Sequence, residues 1–179
     1  MTLTEFDDEH LVTRAKQGQV AAFEELVRRH QDRVYRVAWR LLGDEREAED
    51  AAQDAFLQAW RSLGAFRGDS AFGTWLYRIT SNRCLNMLRG RRQFEELPGD
   101  RKSDSPSIET TVEARLQLED VRRAIATLTP EQRIPLVLRE LEHCSYEELA
   151  TILDVSVSAV KSRLLRARVE LLNASRGWR

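Results

Sequence analysis

The sequence predicts an all-α chain, built as two small helical domains joined by a flexible linker. Three observations carry that expectation. Apolar residues recur at i, i+3, i+4 and i+7 through nearly every segment, the period of a helix with one face against a core. Gly and Pro are scarce, 8 and 4 in 179 residues, which argues against a turn-rich β fold. The helical period breaks between residues 93 and 112, where Pro98, Gly99, Pro106, Ser103, Ser105 and Ser107 fall among mixed charges. Such a composition reads as a linker, with one domain over 1–92 and the other over 113–179.

In the first domain, Phe23, Leu26, Val27, His30, Val34, Val37, Ala38 and Leu41 share one helix face. Gly43 is placed to end that helix in a left-handed turn, and Asp44 to cap the next. The apolar face of the second helix runs Ala48, Ala52, Ala55, Phe56, Ala59, Trp60 and Leu63, and Gly64 stops it. A polar loop, Arg67-Gly68-Asp69-Ser70, follows. Ser70 is expected to cap a third helix that carries Phe72, Trp75, Leu76 and Ile79 on one side and ends near Gly90.

In the second domain, Leu118, Val121, Ile125 and Leu128 form a stripe. Thr129-Pro130-Glu131-Gln132 is a helix start, with Thr as N-cap, Pro at the first helical position and Gln reaching back. The helix it opens holds Ile134, Val137, Leu138 and Leu141. Pro135 removes a backbone donor inside it, so a kink or a local 3₁₀ turn is expected. Ser145 with Glu148 is a second capping box, opening a short helix that ends near Leu153. Asp154-Val155-Ser156 turns the chain, and Ser156 caps a last helix to about Leu172.

Composition narrows the function. No apolar run approaches the roughly 18 residues that cross a bilayer. The start, MTLTEFDDEH, lacks the basic and apolar regions of a signal peptide, so a cytoplasmic protein is expected. Cys84 and Cys144 form no CxxC, and His10, His30 and His143 form no catalytic constellation. The expectation is therefore no metal, no cofactor and no catalysis, with both thiols acting as small buried hydrophobes.

The net charge of −1 hides local blocks. Asp44, Glu45, Glu47, Glu49, Asp50 and Asp54 crowd one stretch against Arg46 alone. Residues 70–94 hold no acid but contain Arg78, Arg83, Arg89, Arg91 and Arg92; residues 155–169 hold none either, with Lys161, Arg163, Arg166 and Arg168. Two basic segments in a near-neutral chain point to two contacts with a polyanion, and the acidic block to a basic protein partner.

The short helix, tight turn and longer basic helix of the second domain are the signals of a helix-turn-helix. Val157, Val160, Leu164, Ala167 and Leu171 form the apolar stripe of the last helix, with Ser158, Ala159, Ser162, Arg163 and Arg166 roughly opposite. A major groove about 12 Å wide admits such a helix. Small residues at its start allow close approach, and Lys161 and Arg168 flank the stripe, where long stems lie on the core while the charges reach phosphate. In the first domain, the loop from Phe66 to Trp75 mixes aromatics, small residues and hydrogen-bonding groups, and Tyr77, Arg78, Asn82 and Arg83 follow. Aromatic faces stack on exposed bases and Arg tracks the backbone; a polar pocket at a loop–helix junction can hold an extruded base. This composition suits single-stranded DNA.

With these residues in view, the stretch from Asp44 to Arg92, including EAEDAAQDAFLQAWRSL and AFRGDSAFGTWLYRITSNRCLNMLRGRR, resembles region 2 of bacterial sigma factors. SYEELATILDVSVSAVKSRLLRARVELL resembles region 4. Their order and the short linker resemble the extracytoplasmic-function group, group IV. The resemblance implies a dissociable subunit of RNA polymerase that binds promoter DNA. Asp50, Gln53, Asp54, Phe56, Leu57 and Trp60 would meet the β′ clamp helices, and region 4 the β flap. Arg67, Gly68, Asp69, Ser70, Phe72, Trp75, Arg78, Asn82 and Arg83 would read the melted −10 element; Ser158, Lys161, Ser162, Arg163 and Arg166 would read the −35 duplex. It also implies control by an anti-sigma factor. The alternative from the residues alone is a stand-alone dimeric helix-turn-helix regulator, which leaves the first domain without a role.

Overall fold

The computed structural model describes residues 3–95 and 123–176, and every regular element among them is helical. A 3₁₀ turn (Leu3–Glu5) leads into α1 (Asp8–Lys16), then α2 (Val20–Leu42), α3 (Glu45–Ser62) with a 3₁₀ turn after it (Leu63–Ala65), and α4 (Phe72–Glu95). Residues 123–127 are helical, followed by α5 (Pro130–Leu141), α6 (Tyr146–Leu153) and α7 (Val157–Arg176). The expected linker over 93–112 and the Leu118–Val121 part of the fourth stripe lie largely outside the described residues.

Local chemistry sets most boundaries. Gly43 ends α2 at φ 74° and donates to the Trp39 carbonyl at 2.8 Å. Asp44 accepts from the Glu47 amide at 2.9 Å and opens α3. Gln132 Oε1 accepts from the Thr129 amide at 3.1 Å with Pro130 in the first turn. Ser145 and Glu148 exchange bonds of 3.0 and 2.7 Å. Asp154 takes the left-handed turn at φ 54°, and Ser156 Oγ accepts from the Ala159 amide at 3.2 Å. Each cap satisfies an amide or carbonyl that a helix end leaves without a partner.

Two expectations fail, one of the two outcomes expected at Pro135 is excluded, and one helix was not anticipated. Ser70 does not cap α4: the helix begins at Phe72, the Ala71 carbonyl accepts its first bond, from the Trp75 amide, and the Ser70 hydroxyl donates to that same oxygen at 3.4 Å. Gly90 does not end α4, which runs on to Glu95; Arg91 reaches the Leu42 carbonyl at 2.9 Å and also pairs with Glu47, tying this last stretch to the α2–α3 corner. No 3₁₀ turn forms at Pro135; α5 is α-helical over all 12 residues, with the proline ring buried. Residues 8–16, given no element from the pattern, form α1: Asp7 caps it at 2.9 Å and Leu11, Val12 and Ala15 are buried.

The core has two centres. One holds Leu11, Leu26, Val34, Ala55, Ala59, Phe66, Phe72 and Leu76, where α1–α4 converge. The other joins both halves of the chain: Val37, Leu41, Ala48, Cys84 and Leu88 from the first, and Leu128, Val137, Leu138, Leu149, Val160 and Leu164 from the second. Each fully buried Leu contributes on the order of 2 kcal/mol, so this shared centre binds the halves together. Polar contacts reinforce the seam. Buried Arg133 donates to the Leu41 carbonyl at 2.8 Å and to Ala126 and Leu128 carbonyls at 2.6 and 3.1 Å. The Tyr77 hydroxyl donates to Glu142 at 2.6 Å, and Thr74 to Glu148 at 3.4 Å. Arg133 thus meets an α2 carboxyl end, where helix carbonyls are free and the dipole is negative.

Candidate nucleic-acid and protein interfaces

The turn of the helix-turn-helix is built as its residues dictate. Asp154 turns α6 into α7, and Val160, Leu164 and Ala167 are fully or nearly fully buried beneath it. Val157 and Leu171, at the ends of the same stripe, are half-buried. That leaves Ser158, Lys161, Ser162 and Arg166 exposed, with Arg163 half-exposed beside them. Lys161 is exposed, and its Nζ sits 5.5 Å from the centre of the Tyr146 ring on α6, so the ammonium itself is steadied by the ring face. Arg168 is pulled aside by Glu140 at 3.2 Å. The result is an outward row of small residues and cations, the shape and charge that a duplex groove accepts.

The second face lies at the start of α4. Phe66 and Phe72 are buried and meet edge-on at 6.1 Å, with Trp75 packed on both at 4.9 and 5.8 Å. Between these anchors, Arg67, Gly68 and Asp69 are exposed and Ser70 half-exposed. Gly68 adopts φ 80°, a left-handed geometry that glycine takes without strain. Arg67 pairs loosely with Asp69 at 3.5 Å in open solvent. Arg78 and Asn82 project from α4 one turn apart, both exposed. Phe72 stands apart from the rest of the expected set: at 4% exposure it is a wall of the site, not a surface a base could stack on.

The third face is on α3. Asp50 and Gln53 are exposed, Phe56 is half-buried, and Leu57 and Trp60 are 47% and 39% exposed. Trp60 leans on Phe23 of α2 at 4.9 Å, which fixes its orientation. A fixed aromatic beside an exposed Leu and carboxylates is the composition of a protein interface. Asp54 is shared between faces: it holds Arg83 of α4 at 2.7 Å. Arg83 Nε, buried against α3, has no hydrogen-bond partner. The residues expected to meet protein and those expected to meet DNA are therefore coupled through one ion pair.

No described helix is long and apolar enough to cross a membrane, and no three potential metal ligands cluster among the described residues. Burial pushes the Cys84 thiol up to about 12 and the Cys144 thiol up to about 11, so both stay protonated and unreactive.

Sequence reasoning missed the seam between the halves and α1. Tyr77 and Glu142 are 65 positions apart, and nothing local marks them as partners. The acidic first turn, the basic last turn and the Asp7 cap of α1 were available signals, but its buried stripe holds only Leu11, Val12 and Ala15.

Residues 26–94 match the family model Sigma-70 region 2, and residues 118–171 match Sigma-70, region 4. An RNA polymerase sigma-H factor of Pseudomonas aeruginosa is 41% identical, over 93% of this chain and 92% of that protein. The chain belongs to the sigma-70 family of RNA polymerase sigma factors. Within the sigma factors, an ECF RNA polymerase sigma-E factor of Escherichia coli K12 is 38% identical over 93% of each chain. Two solved structures match this sigma factor closely in fold. CnrH in complex with the cytosolic domain of CnrY has a TM-score of 0.72 at 29% identity, covering 95% of this chain and 97% of that one. The sigma factor RpoE of Bartonella quintana, in complex with the anti-sigma factor NepR, has a TM-score of 0.71 at 27% identity, covering 86% and 96%.

Proposed function

We propose that this sigma factor is a group IV, extracytoplasmic-function member acting in the cytoplasm as a dissociable promoter-recognition subunit. It binds core RNA polymerase, reads the −35 duplex with α7, and captures the melted −10 strand at the loop before α4. It performs no catalysis and needs no cofactor; the polymerase does the chemistry. Residues 1–92 form the region 2 domain, 93–112 the linker and 113–179 the region 4 domain. The observation that carries the reading is the pairing, in one chain, of an exposed Ser158–Lys161–Ser162–Arg166 row with an aromatic-walled Arg67–Ser70 loop. A duplex reader alone explains the first and not the second.

The roles follow from chemistry. Arg163 and Arg166 make bidentate contacts to guanine edges or phosphate, and Lys161 a point contact to phosphate. Ser158 and Ser162 are small enough to let the helix seat. In region 2, Gly68 lets the backbone approach a base, Asp69 and Ser70 supply its hydrogen-bonding groups, and Trp75 closes the pocket with Phe72 behind it. Arg67, Arg78, Asn82 and Arg83 track the strand. Asp50, Gln53, Asp54, Phe56, Leu57 and Trp60 meet the β′ clamp helices, where carboxylates steer a basic partner and the exposed apolar pair anchors it. Region 4 docks on the β flap. An anti-sigma factor holds the chain inactive; the docked halves of this structure, and its likeness to two chains solved as complexes, one of them with a named anti-sigma factor, support that part of the reading.

Mobility-shift titration with and without core polymerase tests the proposal. The expected result is specific promoter binding only with polymerase present. Tight operator-like binding by the free chain as a dimer would instead favour a stand-alone helix-turn-helix regulator.

A further inference from the structure

We propose that α1 is a positioning element for the strand-reading loop, acting at both of the loop's ends through Lys16 and Asp8. The inference rests on the reading of that loop as the −10 site. It concerns residues that lie before the span matched by the family model, which begins at residue 26.

The geometry points to it directly. The Lys16 ammonium, at the last turn of α1, donates to the Phe66 carbonyl and lies 5.7 Å from the centre of the Phe66 ring. Phe66 is the residue where the loop begins. At the other end, Asp8 in the first turn of α1 accepts from His30 Nε2 at 2.6 Å. His30 is 92% buried on α2, and its ring meets Phe72 edge-on at 5.4 Å. A carbon placed on Gly73 would come within 3.3 Å of the His30 ring, so this imidazole and the first turn of α4 are in close contact. Asp8 also pairs with Arg29 at 3.1 Å, which leaves its carboxylate little freedom to turn away. One helix therefore holds the entry of the loop directly and its exit through a carboxylate-oriented imidazole.

The consequence is preorganisation. Residues 67–70 carry the contact groups, and their own side-chain contacts, the Arg67–Asp69 pair at 3.5 Å and the Ser70–Ala71 bond at 3.4 Å, stay within residues 67–71 and tie the loop to no neighbouring helix. A loop whose ends are held loses less conformational freedom when a strand is captured, and that saving appears as affinity for the strand alone. Lys16 and Asp8 touch no base in this arrangement. They are positioning residues, and their effect must pass through Phe66 and Phe72.

The test uses holoenzyme assembled from core polymerase and the full-length chain. The probe is a fluorescent single-stranded oligonucleotide carrying the non-template −10 sequence of a promoter that the wild-type holoenzyme transcribes. Lys16 is exposed, so Lys16→Ala opens no core. Lys16→Ala is expected to weaken oligonucleotide binding roughly three- to tenfold, the effect of losing one hydrogen bond. Affinity for core polymerase and for a −35 duplex stays at the wild-type value, and Lys16→Arg restores strand binding. Asp8→Asn, which keeps the shape but weakens the hold on His30, is expected to lower strand binding in the same selective way. Wild-type strand affinity in both Lys16→Ala and Asp8→Asn overturns the inference. So does a loss spread equally over strand, duplex and polymerase binding with no rescue by Lys16→Arg, since that is the pattern of a merely structural helix. If the wild-type holoenzyme transcribes the promoter yet does not bind the oligonucleotide, the reading of the loop has failed, and the role of α1 falls with it.

Discussion

Arg166 is exposed on α7 and has no ion pair among the described residues, whereas its neighbour Arg168 is engaged by Glu140. That difference leaves Arg166 free to meet DNA where Arg168 is held. Arg166→Ala is expected to cost about 1–3 kcal/mol at −35 sites if the guanidinium reads a base edge, with specificity relaxed at one position. If it meets only phosphate, all sequences weaken alike and the salt slope falls by about one unit. Competition binding across a library of −35 variants at two salt concentrations separates these; unchanged binding at every site would remove Arg166 from the interface. At this scale the sequence was legible wherever a residue's role depends on its own helix. The wheel of α7 placed Val160, Leu164 and Ala167 inward and Arg166 outward, as observed. Phe72 was not legible, because its place as wall or contact depends on His30, 42 positions earlier in the chain.

The α1–α2 pair is held by a charge network with a definite pH signature. Arg28 and Arg29 bond the Glu25 carboxylate at 2.6 and 2.8 Å and hold its pKa down at about 2. A depressed folded-state pKa means that the stabilisation is fully present above the ordinary carboxylate range and is lost as pH falls toward 2. Thermal unfolding of Glu25→Gln is therefore expected to show a lower midpoint than wild type at pH 7. The gap narrows between about pH 4.5 and 2. A gap that stayed constant over that range would show that the carboxylate charge contributes nothing. Element boundaries were legible where one side chain caps its own helix, as at Asp44, Ser145 and Ser156. They were misjudged where a distant group decides: α4 passes Gly90 because Arg91 is held by Glu47 and the Leu42 carbonyl. Ser70 has the right chemistry for a cap but sits one residue too early to serve.

Across the whole molecule, the two halves are docked by a shared core and by Tyr77, Glu142 and Arg133. The −10 and −35 elements are, by their names, about 25 base pairs apart, roughly 85 Å of duplex at 3.4 Å per pair. Halves in side-chain contact do not reach both, so promoter engagement requires them to part. The Glu142 side chain is 4% exposed; its second oxygen lies 3.5 Å from the Arg36 guanidinium as an ion pair but accepts no hydrogen bond. Removing the Tyr77 donor leaves the buried carboxylate with the Arg36 ion pair and no short hydrogen bond, and Tyr77→Phe is expected to weaken docking by about 1.5–3 kcal/mol, the worth of a hydrogen bond to a charged group. Dyes on cysteines introduced by Arg46→Cys and Glu170→Cys, both exposed sites, report the separation, since buried Cys84 and Cys144 do not compete for label. A distance distribution shifted to longer values supports the seam as the latch; an unchanged distribution contradicts it. None of this seam was legible in the sequence, because a tether of some twenty residues states that two domains exist and not how they meet.

The most direct measurement is run-off transcription by purified core polymerase, free of any resident sigma factor, on genomic DNA fragments with this chain added. The account predicts discrete transcripts that appear only with the chain present and whose start sites share two spaced upstream elements. Transcription no greater than that of core polymerase alone, on every fragment tried, would contradict it.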